Sequence, residues 1–127
     1  MQCFVDQYAS YTPVDDLHLN GELTLGENVA DNGGLRIALM ALLSLSGQEE
    51  EEKIDGFTPT QRLFLGWGQV WCGSIRDEAL RLRVATDPHS PDRYRVNGVV
   101  SNMPEFREAF SCKSDAQMVR ANACRVW

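Results

Sequence analysis

The chain has 127 residues, a formal net charge of −6 and 43% hydrophobic residues. That length allows one domain at most, and the acidic balance argues against a nucleic-acid-binding surface. Arg76, Arg81 and Arg83 come closest to a basic cluster, but Asp77 and Glu78 dilute them. No run of about 18 apolar residues occurs, so the sequence predicts no helix that spans a membrane.

In chain order, residues 2–11 read equally as a helix or an irregular lead-in. Residues 12–16, with Pro13 and two aspartates, predict a turn. Residues 18–25 alternate loosely and predict an extended piece. Residues 27–45 are the first clear helix, because Val29, Ala30, Ile37, Ala38, Met40, Ala41 and Leu42 recur at helical spacing. Gly33 and Gly34 inside it cost about 1 kcal/mol each relative to alanine, which predicts close approach of another backbone or helix there. Glu49 to Glu52 read as a solvated loop rather than a cation site. Thr58 and Gln61 form a capping-box pattern with Pro59 at the first helical position, predicting a helix over 58–71. A further helix is predicted over 77–85, then a loop over 87–95 with two prolines. Asn102 and Glu105 suggest a second capping box opening a helix to about residue 110. The class is mainly α with short extended segments.

Cys3, Cys72, Cys112 and Cys124 are an even set without C-x-x-C. That disfavours a zinc ribbon or a thioredoxin-type site and suits disulfides in an oxidising compartment. Three connectivities are open, and the sequence chooses none of them. The start, Met1-Gln2-Cys3-Phe4, lacks a signal peptide's basic-then-apolar pattern, so the expectation is either a cytosolic chain or an N-terminus lying upstream. Trp67 and Trp71, four apart on a helix, are expected in the core. His18, four residues before Glu22, reads as a packed or surface histidine rather than a ligand.

The chemistry concentrates in Gly26-Glu27-Asn28-Val29-Ala30-Asp31-Asn32-Gly33-Gly34-Leu35. Glu27 and Asp31 are just over one helical turn apart and face the same way. One carboxylate of such a pair suits a metal, and the other suits steering a neighbouring ligand. An E-x-x-x-D pair alone is common and solvent-facing; the flanking residues make the signal specific. With them go Val70-Trp71-Cys72-Gly73, Thr86-Asp87-Pro88-His89-Ser90-Pro91 and the terminal Cys124-Arg125-Val126-Trp127. Over nearly its whole length the chain resembles the C-terminal end of the neprilysin and endothelin-converting-enzyme family of zinc metallopeptidases.

The resemblance implies a single unit over residues 1–127, the C-terminal helical portion of a thermolysin-like (gluzincin) catalytic domain. It implies zinc as cofactor, peptides as substrates and an extracellular or periplasmic setting, with any signal or anchor upstream. By position, Glu27 matches the third zinc ligand, and Asp31 accepts a hydrogen bond from a zinc-binding histidine. His89 would stabilise the oxyanion, a donor role worth a few kcal/mol of barrier. Arg95, six residues later, would present its fork of donors to substrate carbonyls. The resemblance also implies a Cys3–Cys124 disulfide and a terminal clasp with Trp127. Family partners of Cys72 and Cys112 lie near the N-terminus of the full protein, so here those two are expected free or paired with each other.

The family's H-E-x-x-H helix, carrying two zinc-binding histidines and the general base, does not occur in this sequence. The chain is therefore expected to be inactive alone and to hold zinc weakly through Glu27. Its partner would be the missing N-terminal part of the catalytic domain. The face that packs the missing helix is expected bare around residues 27–40, inviting homodimers. The alternatives are a truncated, non-catalytic helical binding or structural module, and a site completed in trans by another chain.

Overall fold

A computed structural model describes residues 1–45 and 53–126. Six helices form there: α1 (Gln2–Ala9), α2 (Leu25–Leu45), α3 (Pro59–Val70), α4 (Asp77–Thr86), α5 (Asp92–Val100) and α6 (Pro104–Ala109). No strand occurs among the described residues. Isolated bridges, Val14 with Leu17 and Ile54 with Phe57, close two tight turns. Asp15 and Asp55 take positive φ in them, a conformation that short polar side chains tolerate. The mainly α class is as expected. The glutamate run at 49–52 and Trp127 lie outside the described residues.

The ambiguous N-terminal stretch is helical. Phe4, Gln7 and Tyr8 share one buried face of α1, at helical spacing. The extended piece expected over 18–25 is corrected: residues 21–24 form a turn that runs into α2. Asn20 drives it, its Oδ1 accepting from the backbone N–H of Glu22 and of Leu23, an Asx-type turn. Gly21 is where another backbone comes close, since a Cβ there would strike the carbonyl of Val5. At Gly34 a Cβ would meet nothing within 4 Å, so the close approach expected at that glycine is not made among the described residues.

α2 is the central element. Asn28, Asp31, Asn32, Leu35 and Leu39 line its buried side. Its other side is an apolar stripe of Ala30, Gly34, Ile37, Ala38 and Ala41, all exposed. Ile37 and Met40 are each 56% exposed. A helix that is apolar on nearly all sides ordinarily sits inside a larger structure.

α3 starts as predicted. Thr58 Oγ1 accepts from the Gln61 backbone N–H, and Gln61 Oε1 accepts from that of Thr58. Gln61 Nε2 also donates to the Ala109 carbonyl at 2.7 Å, joining the start of α3 to the end of α6. The second capping box does not form. α6 begins after Met103 without a side-chain cap, because Asn102 is buried and its amide is spent inward. The loop expected over 87–95 ends early, and α5 starts at Asp92. Gly98 in α5 is required by packing: a Cβ there would lie 2.7 Å from the Tyr8 hydroxyl.

Two apolar clusters hold these elements. One joins Leu35 and Leu39 of α2 to Phe64 of α3, Val99 and Val100 of α5, and Met103. The other gathers Phe4, Tyr8, Leu19, Tyr94 and Cys124. A disulfide links Cys3 to Cys124 across 121 residues of sequence, with Cα atoms 5.6 Å apart. Cys72 and Cys112 are free thiols. Among the described residues no helix is long and apolar enough to cross a membrane.

Candidate functional site

The four candidate residues come from two neighbouring pieces of chain. Glu27 and Asp31 project from the first two turns of α2. His89 sits in the loop before α5, and Arg95 on α5 itself. A buried polar bridge sets the two pieces in register. Ser90 Oγ donates to Asn28 Oδ1 at 2.7 Å, and Asn28 Nδ2 donates to Thr24 Oγ1 at 2.9 Å. Asn28 and Ser90 are 1% and 2% exposed. Each is the chain neighbour of a site residue, so fixing Asn28 against Ser90 fixes Glu27 against His89. Ser90→Ala would leave the Asn28 oxygen buried and unpaired. We expect it to cost about 1–3 kcal/mol in urea unfolding; an unchanged midpoint would mean that the bridge does not hold the two pieces together.

Around that bridge the charged groups converge. His89 Nε2 lies 3.3 Å from Glu27 Oε2, and His89 Nδ1 lies 2.8 Å from Asp87 Oδ1. Asp87 Oδ1 also accepts the His89 backbone N–H at 2.9 Å. That backbone bond first, and the ring second, hold the Asp87 carboxyl below the usual carboxylate range. Arg95 donates from Nε and Nη2 to the two oxygens of Asp31, both at 2.7 Å, and Nη2 lies 3.7 Å from Glu27 Oε2. Asp31 and Arg95 are both nearly buried, whereas Glu27 and His89 are almost half exposed. The Asp31 hydrogen bonds push the Arg95 guanidinium further up, against the opposing effect of burial.

Trp71 is corrected from core to platform. The Arg95 guanidinium lies 3.8 Å from the centre of its ring, within cation–π range. Trp67 keeps one foot in the core and donates its indole N–H to the Arg95 carbonyl at 3.1 Å. Sequence reasoning singled out all four charged residues and missed four that hold them: Asn28, Asp87, Ser90 and Trp71. The Asp87-Pro88-His89 spacing was a usable signal, because an Asp two residues before a loop residue commonly accepts that residue's N–H. His18 stands apart, its Nδ1 3.0 Å from the Ala9 carbonyl, with no part in the cluster.

A catalytic zinc takes about three protein ligands and keeps one open position. Among the described residues no group of three or more His, Cys, Asp or Glu is arranged to hold a metal. Glu27 fits as one donor: an outward-facing carboxylate at the end of the exposed stripe on α2. The rest of a zinc site is not supplied by the described residues.

Comparison with known proteins identifies the family. The profile of peptidase family M13 matches residues 1–126. An endothelin-converting enzyme homolog of Locusta migratoria is 45% identical over 99% of this chain and 18% of its own length. Neprilysin-1 of Caenorhabditis elegans is 44% identical, again over 99% of this chain and 18% of its own length. The cryo-EM structure of the Mycobacterium tuberculosis zinc metalloprotease Zmp1 in its open state superposes with a TM-score of 0.85, at 42% identity. That match covers 94% of this chain and 20% of Zmp1. The chain thus spans less than a fifth of the length of these curated relatives. On a match across its whole described length, the chain belongs to peptidase family M13.

Proposed function

We propose that residues 1–127 form one structural unit, the C-terminal segment of a zinc metalloendopeptidase catalytic domain, and supply one wall of its active site. The observation that carries this is the convergence of Glu27, Asp31, His89 and Arg95 at the edge of an uncovered apolar stripe. The rest of the catalytic domain would cover that stripe and bring the remaining metal ligands and the general base. When bound, zinc supplies polarisation of water and of the scissile carbonyl.

Each residue of this chain has a role that its surroundings support. Glu27 offers an anionic oxygen to the metal. Asp31 spends one lone pair per oxygen on Arg95 and keeps acceptor capacity for a histidine donated from outside the chain. Arg95 uses two of its five N–H groups on Asp31; the others remain for peptide carbonyls, and Trp71 steadies the plane. Asp87 anchors His89 through Nδ1 and the backbone, with Nε2 facing the Glu27 carboxylate at 3.3 Å. With a metal on the Glu27 oxygen, the imidazolium form of His89 would offer Nε2–H to a negative oxygen developing on substrate. The disulfide suits an oxidising compartment, extracellular or periplasmic.

Two measurements on the isolated chain test this. Calorimetry should show no stoichiometric, submicromolar zinc binding; tight binding abolished by Glu27→Ala would show a self-sufficient metal module instead. Sedimentation should show self-association through the bare stripe, reduced by Ile37→Glu. A compact monomer insensitive to that substitution would favour an autonomous, non-catalytic helical module.

A further inference from the structure

A cavity of about 440 Å³ lies between the start of α6 and the C-terminal tail, and it shares no residue with the Glu27–His89–Arg95 cluster. Arg107, Arg120 and Arg125 line it, and no Asp or Glu does. None of the three makes an ion pair among the described residues, whereas Arg36, Arg81 and Arg95 each face a carboxylate. Of the two acids on α6, Glu105 is paired with Arg36 and Glu108 does not line the cavity. Acids outnumber bases 18 to 12 in this chain, so three cations around one acid-free cavity go against the composition.

The donors there are under-used. Arg107 donates only a long 3.4 Å bond from Nε to the Cys112 carbonyl. Arg120 Nε is buried with no hydrogen-bond partner. An unpaired buried donor is costly, more so when charged, and an acceptor oxygen from a ligand removes that cost. Guanidinium forks match the paired oxygens of a carboxylate or phosphate. The apolar part of the wall includes Met103, Pro104, Met118 and Val119. The volume falls in the range of about 300–1,000 Å³ usual for small-molecule sites and exceeds what a bare inorganic ion fills.

We propose that this tail cavity binds an organic anion. Its carboxylate or phosphate group pairs with Arg107, Arg120 and Arg125, and its apolar body rests against Met103, Pro104 and Met118. The site stands independently of the peptidase assignment.

The test titrates phenyl phosphate and phenylacetate into the full chain at low ionic strength, following the arginine Nε–H resonances by NMR. Both anions should bind saturably, shift the Arg120 signal, and weaken as sodium chloride is added. Arg120→Gln or Arg107→Gln should weaken binding by about tenfold or more, while Arg81→Gln, remote and paired with Asp15, should not. The ratio of the two affinities says whether a phosphate or a carboxylate is preferred. If Arg120→Gln fails to fold, Arg125→Gln and the salt dependence of the parent decide. Equal binding of neutral benzyl alcohol, or unchanged affinity in the folded arginine variants, would overturn the proposal.

Discussion

Replacing Cys3 and Cys124 together with serine should lower the unfolding free energy by about 4–5 kcal/mol. The bridge spans 121 residues of sequence, and in the chain-entropy treatment a loop of about 100 residues is worth close to 5 kcal/mol. A domain stable by only about 5–15 kcal/mol would lose a large share of its margin. The effect should reach the site as well, because the tail docks on a polar hub. The Cys124 N–H donates to Asn102 Oδ1 at 2.9 Å, and the Asn102 amide donates to Gln7 Oε1, Asn32 Oδ1 and the Gly98 carbonyl. Asn32 follows Asp31 on α2, so loosening the tail loosens the turn that carries Asp31. Urea unfolding of the oxidised parent against the double serine variant measures this. A loss under about 1 kcal/mol would mean that the bridge adds little beyond the packing already present.

The second large effect is expected at the Asp31–Arg95 pair, which holds α5 to α2 and so places His89 beside Glu27. Arg95→Met leaves a nearly buried carboxylate without its two 2.7 Å hydrogen bonds. Breaking such a pair from one side costs about 3–5 kcal/mol, whereas replacing both partners costs far less. Arg95→Met should therefore be more damaging than Arg95→Met combined with Asp31→Asn. Urea unfolding of the single and double variants gives the coupling. Additive effects would show that the pair is not a unit.

The site was more legible than its supports. Glu27, Asp31, His89 and Arg95 stood out because each lies in a distinctive local string, and the fold brings all four together. Asn28 and Ser90 are ordinary polar residues whose importance comes from being buried opposite one another, 62 positions apart in sequence. Helices with a clear periodic stripe and a cap, such as α3, were readable. α5 was not, because Pro91 and Gly98 mark it as broken, yet Pro91 sits at its cap and Gly98 makes room for the Tyr8 hydroxyl. The Asn102 and Glu105 pattern failed for a related reason. An asparagine that fits a surface cap fits a buried hub equally well, and the hub satisfies more of its hydrogen-bonding groups. Ile37 and Met40 on the α2 stripe are exposed.

The central claim is that Glu27 completes a zinc site whose other ligands lie outside this chain. A chimera tests it most directly, with these 127 residues replacing the matching C-terminal stretch of Zmp1. The expected result is a folded chimera holding one zinc per molecule, with Glu27→Gln sharply lowering zinc content after dialysis against a mild chelator. A chimera that folds and keeps its zinc equally well with Glu27→Gln would contradict it.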